Sequence, residues 1–256
     1  MIDRYINNKI NAIWNDQNRF DTWKLIQEKY VETLEALKIA EAGIAKKIRK
    51  AEISKEEVYK QEKITNHDLA SFVDILQKKV GEASNWVHYG LTSSDIVDSA
   101  NSLLIIQSIE VAQELILNLL KELKLKAIKN KDTKIIGRTH GVYAEETFLG
   151  NIFGNWYLEI KRSLDRLERA KVSIAYGKLS GPVGNHTVVT EEMEKITLEK
   201  LGLKPEIFAS QIVSRDRYAE VFTSLSILAS TYERISTNLR SYQRSEISEM
   251  YEPFKD

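Results

Sequence analysis

The residues best suited to chemistry are few and sit at junctions. The chain has four histidines, His67, His88, His140 and His186, each in a short polar stretch rather than on an apolar stripe. Histidine titrates near neutrality, so it is the natural proton donor or acceptor. In "ITNHDLASF", Thr65 and Asp68 have the spacing of a helix N-terminal capping pair, with His67 in the first turn. From this segment alone, a plain helix cap is as good a description as a reactive group. In "WVHYGLTSSDIVDSA", Thr92 and Asp95 repeat the capping pattern, Gly90 eases the turn, and Ser93 and Ser94 add hydroxyls beside the unpaired N–H groups of the first turn. Such a helix start suits a carboxylate or a phosphate. One capping pair would satisfy the helix. The two extra hydroxyls, with His88 four residues before Thr92, exceed that need.

Three further junctions extend the inventory. In "IIGRTHGVYAEE", Gly137 and Gly141 bracket Arg138, Thr139 and His140. Arg138 is suited to hold a carboxylate or an internal acid, and His140 stands where a long helix is about to begin. "GKLSGPVGN" carries Lys178 and Ser180 but lacks the residue order of a phosphate-binding P-loop. "SQIVSRDRYAE" brings Gln211, Ser214, Arg215 and Arg217 to the start of a C-terminal helix. There is no cysteine, no H-E-x-x-H metal pattern and no dinucleotide fingerprint. The inventory supports proton transfer on a substrate with several anionic groups, with neither cofactor nor metal.

The elements that must position these groups are helices. Prolines are few, glycines cluster near 137–154 and 177–184, and 43% of the 256 residues are apolar. Val221, Leu225, Leu228, Tyr232, Ile235, Leu239 and Tyr242 alternate spacings of four and three, a seam that packs against other long helices. Nothing breaks 206–252, so a helix on the order of 50 Å is expected there. Further long helices are expected over 93–129 and about 144–175, and shorter ones over 18–49, 54–62 and 66–80. The 93–129 segment is apolar on more than one face, which suits a central helix or a subunit contact. The expected fold is all-α. A short-helix N-terminal domain spans 1–92, and part of a long-helix bundle spans 93–256. A formal net charge of zero argues against a nucleic-acid binder built on bulk positive charge. No uncharged apolar run reaches the roughly 20 residues of a membrane span, and the N-terminus lacks a secretory apolar core. A cytoplasmic protein without membrane attachment is expected.

These segments, in this order, resemble the adenylosuccinate lyase family of the fumarase/aspartase superfamily. The likeness is carried by "WVHYGLTSSDIVDSA", "GRTHGVYAE", Arg4-Tyr5, "NHDLASF", "SGPVGN" and "SQIVSRDRYAE". The resemblance implies elimination of fumarate with cleavage of a C–N bond, from adenylosuccinate and from the succinylated carboxamide ribotide of purine synthesis, in a homotetramer. It implies His140 as general acid and His67 as its neighbour that orients the substrate. Asp68 would contact the purine, and Thr92, Ser93 and Gln211 the succinyl carboxylates. Arg4, Tyr5 and His88 would face the phosphate, with Arg215 also among the substrate-binding residues. The chain departs from the family pattern at Asn66, where a basic residue is usual, at Tyr143, which replaces a histidine, and at Glu146, where a proline is missing. Family members continue into a serine-bearing loop and a small C-terminal helical domain, so the bundle is expected to be incomplete here and the 256 residues inactive alone. Two other readings remain from the sequence: a different fumarate-releasing lyase, such as one acting on argininosuccinate, and a non-catalytic helical assembly protein.

Overall fold

The computed structural model describes residues 3–252. In chain order the helices are α1 (Asn8–Trp14), α2 (Asp16–Ala36), α3 (Ile44–Lys50), α4 (Lys55–Thr65), α5 (Asp68–Val80), α6 (Ser93–Lys129), α7 (Leu149–Ile174), α8 (Glu191–Lys200) and α9 (Asp216–Tyr242). Four short strands accompany them: β1 (Lys134–Thr139), β2 (Val142–Phe148), β3 (Tyr176–Gly177) and β4 (Lys204–Pro205). β1 and β2 pair antiparallel, and β3 and β4 pair parallel. The all-α expectation holds, with these two small sheets added.

The chain forms two compact units. The first takes the described residues up to Ser108 together with Ser173–Asp216; the second takes Ile109–Val172 and the chain from Arg217. The first half of α6 therefore belongs to the first unit and its second half to the other.

The first unit is organised around α2. Its buried Phe20, Trp23, Ile26, Tyr30 and Leu34 recur at helical spacing on one face. Trp23 meets Phe20 and Phe72 edge-on, at centroid distances of 5.3 and 5.6 Å. Ile48, Leu76, Ile96 and Leu198 extend this core through α3, α5, α6 and α8. Removing any one of these large side chains to alanine costs about 2–5 kcal/mol.

In the second unit, Glu159 of α7 accepts from Thr231 of α9 at 2.9 Å and pairs with Arg234. Gln113 of α6 donates to Glu168 of α7 at 2.6 Å. Trp156, Ile160 and Leu167 of α7 are buried, as are Val221 and Leu228 of the α9 seam.

Four expectations are corrected in detail. The helix expected over 18–49 is two helices, because the chain turns through Lys38 at φ 59° and Gly43 at φ 99°. The C-terminal helix runs only from Asp216 to Tyr242. Before it, the chain is pinned in non-helical form by hydrogen bonds from Lys204 and Glu206 to the backbone of Ala175 and Gly177. After it, Glu249 and Met250 both donate back to the Tyr242 carbonyl. The helix expected from about 144 begins at Leu149, and the residues before it form the β1–β2 hairpin. Its tip is the pair His140–Gly141, with φ 55° and 81°. Two positive φ values between the paired Thr139 and Val142 are the signature of a type I′ turn. Finally, Thr65 is not the cap of α5. It closes α4, Asn66 takes the left-handed C-cap at φ 53°, and His67 itself caps α5. Asparagine tolerates that conformation better than most residues, which gives Asn66 a local reason.

By length and composition α6 alone, among the described residues, is apolar enough to pass for a membrane span. Leu115, Leu117, Leu125 and Ile128 stand exposed along its second half. This is the multi-faced apolar character expected of it.

Candidate functional site

The geometry centres on the start of α6. Three of the four histidines adopt left-handed backbone, His88 at φ 63°, His140 at φ 55° and His186 at φ 54°. Such residues are uncommon outside glycine and collect where a side chain must be aimed from a tight turn.

His67 aims its ring by capping. Its Nδ1 accepts the Ala70 N–H at 3.3 Å, so the ring hydrogen sits on Nε2. That nitrogen lies 3.4 Å from the Ser93 hydroxyl. Ser93 thus receives a hydrogen from His67 and keeps its own hydrogen to offer a ligand. Its position at the N-terminus of α6 adds unpaired N–H groups and the positive end of the helix dipole. Asp68 is half-exposed beside His67, with an oxygen 3.4 Å from Nδ1. The Thr92 side chain makes no hydrogen bond among the described residues, so it too is available.

His88 is half-buried against Gln27. Gln27 accepts the His88 N–H at 3.0 Å, which turns its amide nitrogen toward Nδ1 at 2.8 Å. Nδ1 therefore accepts, and the hydrogen is on Nε2. Burial, with a smaller push from His67 in its protonated form, lowers the His88 pKa to about 4. This histidine is a neutral donor at physiological pH.

The polar run of "TSSDIVDSANS" is explained by its buried face. Asp95, Asp98, Ser99 and Ser102, spaced three, one and three, form a polar stripe on α6 and are all nearly inaccessible. The Asp95 carboxylate accepts the Thr92 N–H at 2.9 Å and the Gly181 N–H at 3.2 Å, and it pairs with the buried Lys178. Burial raises its pKa, while Lys178 and the two N–H groups oppose that rise. Lys178 also donates to the Gly181 carbonyl at 2.9 Å. Ser99 exchanges hydrogen bonds of 3.2 Å with the backbone of Lys178, and Ser102 donates to the Tyr176 carbonyl at 2.7 Å. Asp98 accepts the Val213 N–H at 2.8 Å and both Arg215 nitrogens at 3.0 Å. One helix face therefore holds both the 176–181 and 213–215 segments.

A second buried acid lies beneath the loop. Glu194 accepts the Leu179 N–H at 2.6 Å and faces His186 Nε2 at 3.6 Å. His186 Nδ1 donates to the Val189 carbonyl at 3.0 Å. Burial raises the Glu194 pKa, against the Leu179 N–H and His186.

In the second unit, His140 is exposed at the hairpin tip. Arg138 behind it grips Glu249 through both nitrogens, at 2.8 and 3.1 Å, and lies 5.3 Å from the centre of the Tyr143 ring. Glu249 holds the guanidinium pKa above its usual value. Of the two partners foreseen for Arg138, the structure supplies the internal acid, and Tyr143 stacks on that arginine.

The structure brings together His67, Asp68, Ser93 and Thr92, with His88 close enough to His67 to feel its charge. His140 belongs to the other unit. Arg4 lies over the Tyr5 ring at 4.8 Å, and both are exposed. Gln211 is exposed and makes no side-chain hydrogen bond among the described residues. Arg215, placed among the substrate-binding residues by resemblance, has its guanidinium engaged by Asp98. Sequence reasoning missed Gln27, Asp98, Ser99 and Ser102, and missed the burial of Lys178. The signal for the stripe was present as polar residues at helical spacing inside an apolar helix.

A family model described as Lyase matches residues 7–255. The chain belongs to this lyase family. Adenylosuccinate lyase of Thermotoga maritima is 40% identical to it, over 100% of this chain and 59% of the relative. Adenylosuccinate lyase of Aquifex aeolicus is 38% identical over 99% of this chain and 59% of the relative. The lyase chain thus spans about three-fifths of the length of these curated relatives. Among solved structures, a fumarate lyase from Mesorhizobium sp. BNC1 superposes with a TM-score of 0.89 at 20% identity, over 94% of this chain and 58% of that one. The 3-carboxy-cis,cis-muconate lactonizing enzyme from Pseudomonas putida superposes at 0.91 and 18% identity, covering 97% and 59%. These two likenesses establish the fold that the lyase chain shares with them.

Proposed function

We propose that this chain carries the substrate-binding wall and the general acid of a fumarate-eliminating lyase acting on adenylosuccinate and on the succinylated carboxamide ribotide of purine synthesis. The observation that carries the reading is the juxtaposition of His67 with Ser93 at the open N-terminus of α6. It is supported by the relatives, which are named adenylosuccinate lyases. In the reaction a base takes the proton next to a carboxylate. The carbanionic charge spreads onto that carboxylate, where Ser93, Thr92 and the helix N–H groups stabilise it. The C–N bond then breaks, its electron pair leaves with nitrogen, and the carbanion pair forms the double bond of fumarate. His140 gives the departing nitrogen its proton.

His67 orients the substrate through Ser93, Asp68 contacts the purine, and Gln211 and Arg215 complete the binding surface. Arg4, Tyr5 and the neutral His88 face the phosphate. The enzyme acts in the cytoplasm as a homotetramer. The exposed Leu117, Leu125 and Ile128 of α6, with Phe222 and Ile227 of α9, support assembly through the long helices.

A substrate panel tests the reading. The protein carrying this chain is given adenylosuccinate, argininosuccinate and malate, and fumarate is followed directly. Fumarate and AMP in equal amounts from adenylosuccinate are expected. Fumarate from argininosuccinate alone would move the protein to a sister activity, and none from any substrate would favour a scaffold.

A further inference from the structure

The start of α6 contains an electrostatic conflict. A helix N-terminus meant to receive a substrate carboxylate has its own carboxylate, Asp95, in the first turn. Asp95 and its partner Lys178 are both fully buried. Glu194 of α8 and Tyr30 of α2 also feel the Asp95 charge, and neither is a cation. Among the ion pairs of the described residues, Lys178 is the cation placed to cancel the Asp95 charge. We infer that Lys178 is a positioning residue for the carboxylate wall, cancelling the Asp95 charge so that Asp95 can fix the backbone of Thr92 and Gly181 without repelling an anionic substrate.

The division of labour follows from geometry. Asp95 is needed as an acceptor, because it takes the Thr92 and Gly181 N–H groups and thereby ties the loop after β3 to the helix start. Its charge is a liability there, because like charges at close range in a partly desolvated site oppose binding. Lys178 removes the liability from within the core and also holds the Gly181 carbonyl.

The inference rests on the proposed carboxylate role of Ser93 and Thr92, and the test separates the two. Lys178→Met and the double variant Asp95→Asn/Lys178→Met are compared with the unaltered protein. The readouts are KM and kcat for adenylosuccinate and, independently, the calorimetric affinity for fumarate. Lys178→Met is expected to weaken fumarate binding and raise KM about tenfold or more, with a smaller change in kcat. The double variant restores neutrality and an amide acceptor, and it is expected to return both constants to within about threefold of the unaltered protein. A purely structural role predicts that Lys178→Met loses stability, because the buried Asp95 is left without its cation, while the fumarate affinity of the folded protein and the KM stay unchanged. Unchanged binding in Lys178→Met, or a double variant as impaired as the single, overturns the inference. Should Lys178→Met fail to fold, the double variant decides alone: near-normal fumarate affinity upholds the inference and impaired affinity overturns it. Absence of adenylosuccinate turnover in the unaltered protein would count against the proposed reaction while leaving the fumarate series readable.

Discussion

His88 is half-buried, neutral and hydrogen-bonded as an acceptor at Nδ1, and its desolvation means that acidification must work against the fold. Its folded pKa is about 4 and its ordinary value 6.5. The folded value is the lower one, so the unfolded chain takes up the proton first. The stability contribution is complete above pH 6.5 and is lost as pH falls toward 4. At about 1.4 kcal/mol per unit, the full loss is about 3 kcal/mol, of which about 2.5 kcal/mol falls between pH 7.5 and 4.5. Many carboxylates titrate over the same range, so the assay is a difference. Urea unfolding is measured across pH for the unaltered protein and for His88→Asn, which tolerates the left-handed backbone but does not titrate. The lost contacts to Gln27 lower the variant by a constant amount. The two stability curves should converge on acidification, the unaltered protein losing about 2.5 kcal/mol more. Parallel curves, or an NMR titration placing folded His88 near 6.5, would refute the burial argument and the neutral tautomer with it.

The same geometry predicts three further outcomes. Gly184→Ala should destabilise the first unit by about 3 kcal/mol, measured by thermal unfolding. The added Cβ would fall 2.0 Å from the Ala209 carbonyl oxygen at φ +74°, combining a backbone clash with left-handed strain. Arg215→Met should cost about 1–2 kcal/mol, because it strips the buried Asp98 of its cation while Val213 still donates; the half-exposed arginine limits the loss. His140→Asn should lower kcat by about a hundredfold or more with unfolding unchanged, since the ring stands exposed at a hairpin tip and asparagine tolerates the left-handed backbone at φ 55°. Near-normal turnover in that variant would remove His140 as the acid.

The long helices were legible because their cores impose a period. The α9 seam is buried or half-buried at every residue named for it, and α6 begins and ends where its apolar run does. The hairpin at β1–β2 was not legible. β1 is mostly half-buried and β2 mostly exposed, with no clean alternation in either, and the hairpin's one sharp cue, His140–Gly141, reads equally well as a helix approach. The ends of α9 failed for another reason. Nothing in 206–215 forbids a helix; the segment is held open by Asp98, a partner more than a hundred residues away. The candidate site divided similarly. Thr92 was visible as a local cap and Ser93 as an extra hydroxyl beside it, whereas His67 was read as a first-turn residue and its own capping of α5 came only with the structure. The pairing of Lys178 with Asp95 was invisible, because a lysine in a glycine-rich loop looks solvated until the fold buries it. The junction that seemed to carry too much polarity for a cap has two faces, one offered to a ligand and one spent on holding the loops that surround it.

The central claim is that the N-terminus of α6 receives a substrate carboxylate. Determining the structure of the protein with fumarate bound tests it most directly. A carboxylate within hydrogen-bonding distance of the Ser93 and Thr92 hydroxyls and the first-turn N–H groups is expected. Fumarate bound elsewhere, with the start of α6 unaltered, would contradict the account.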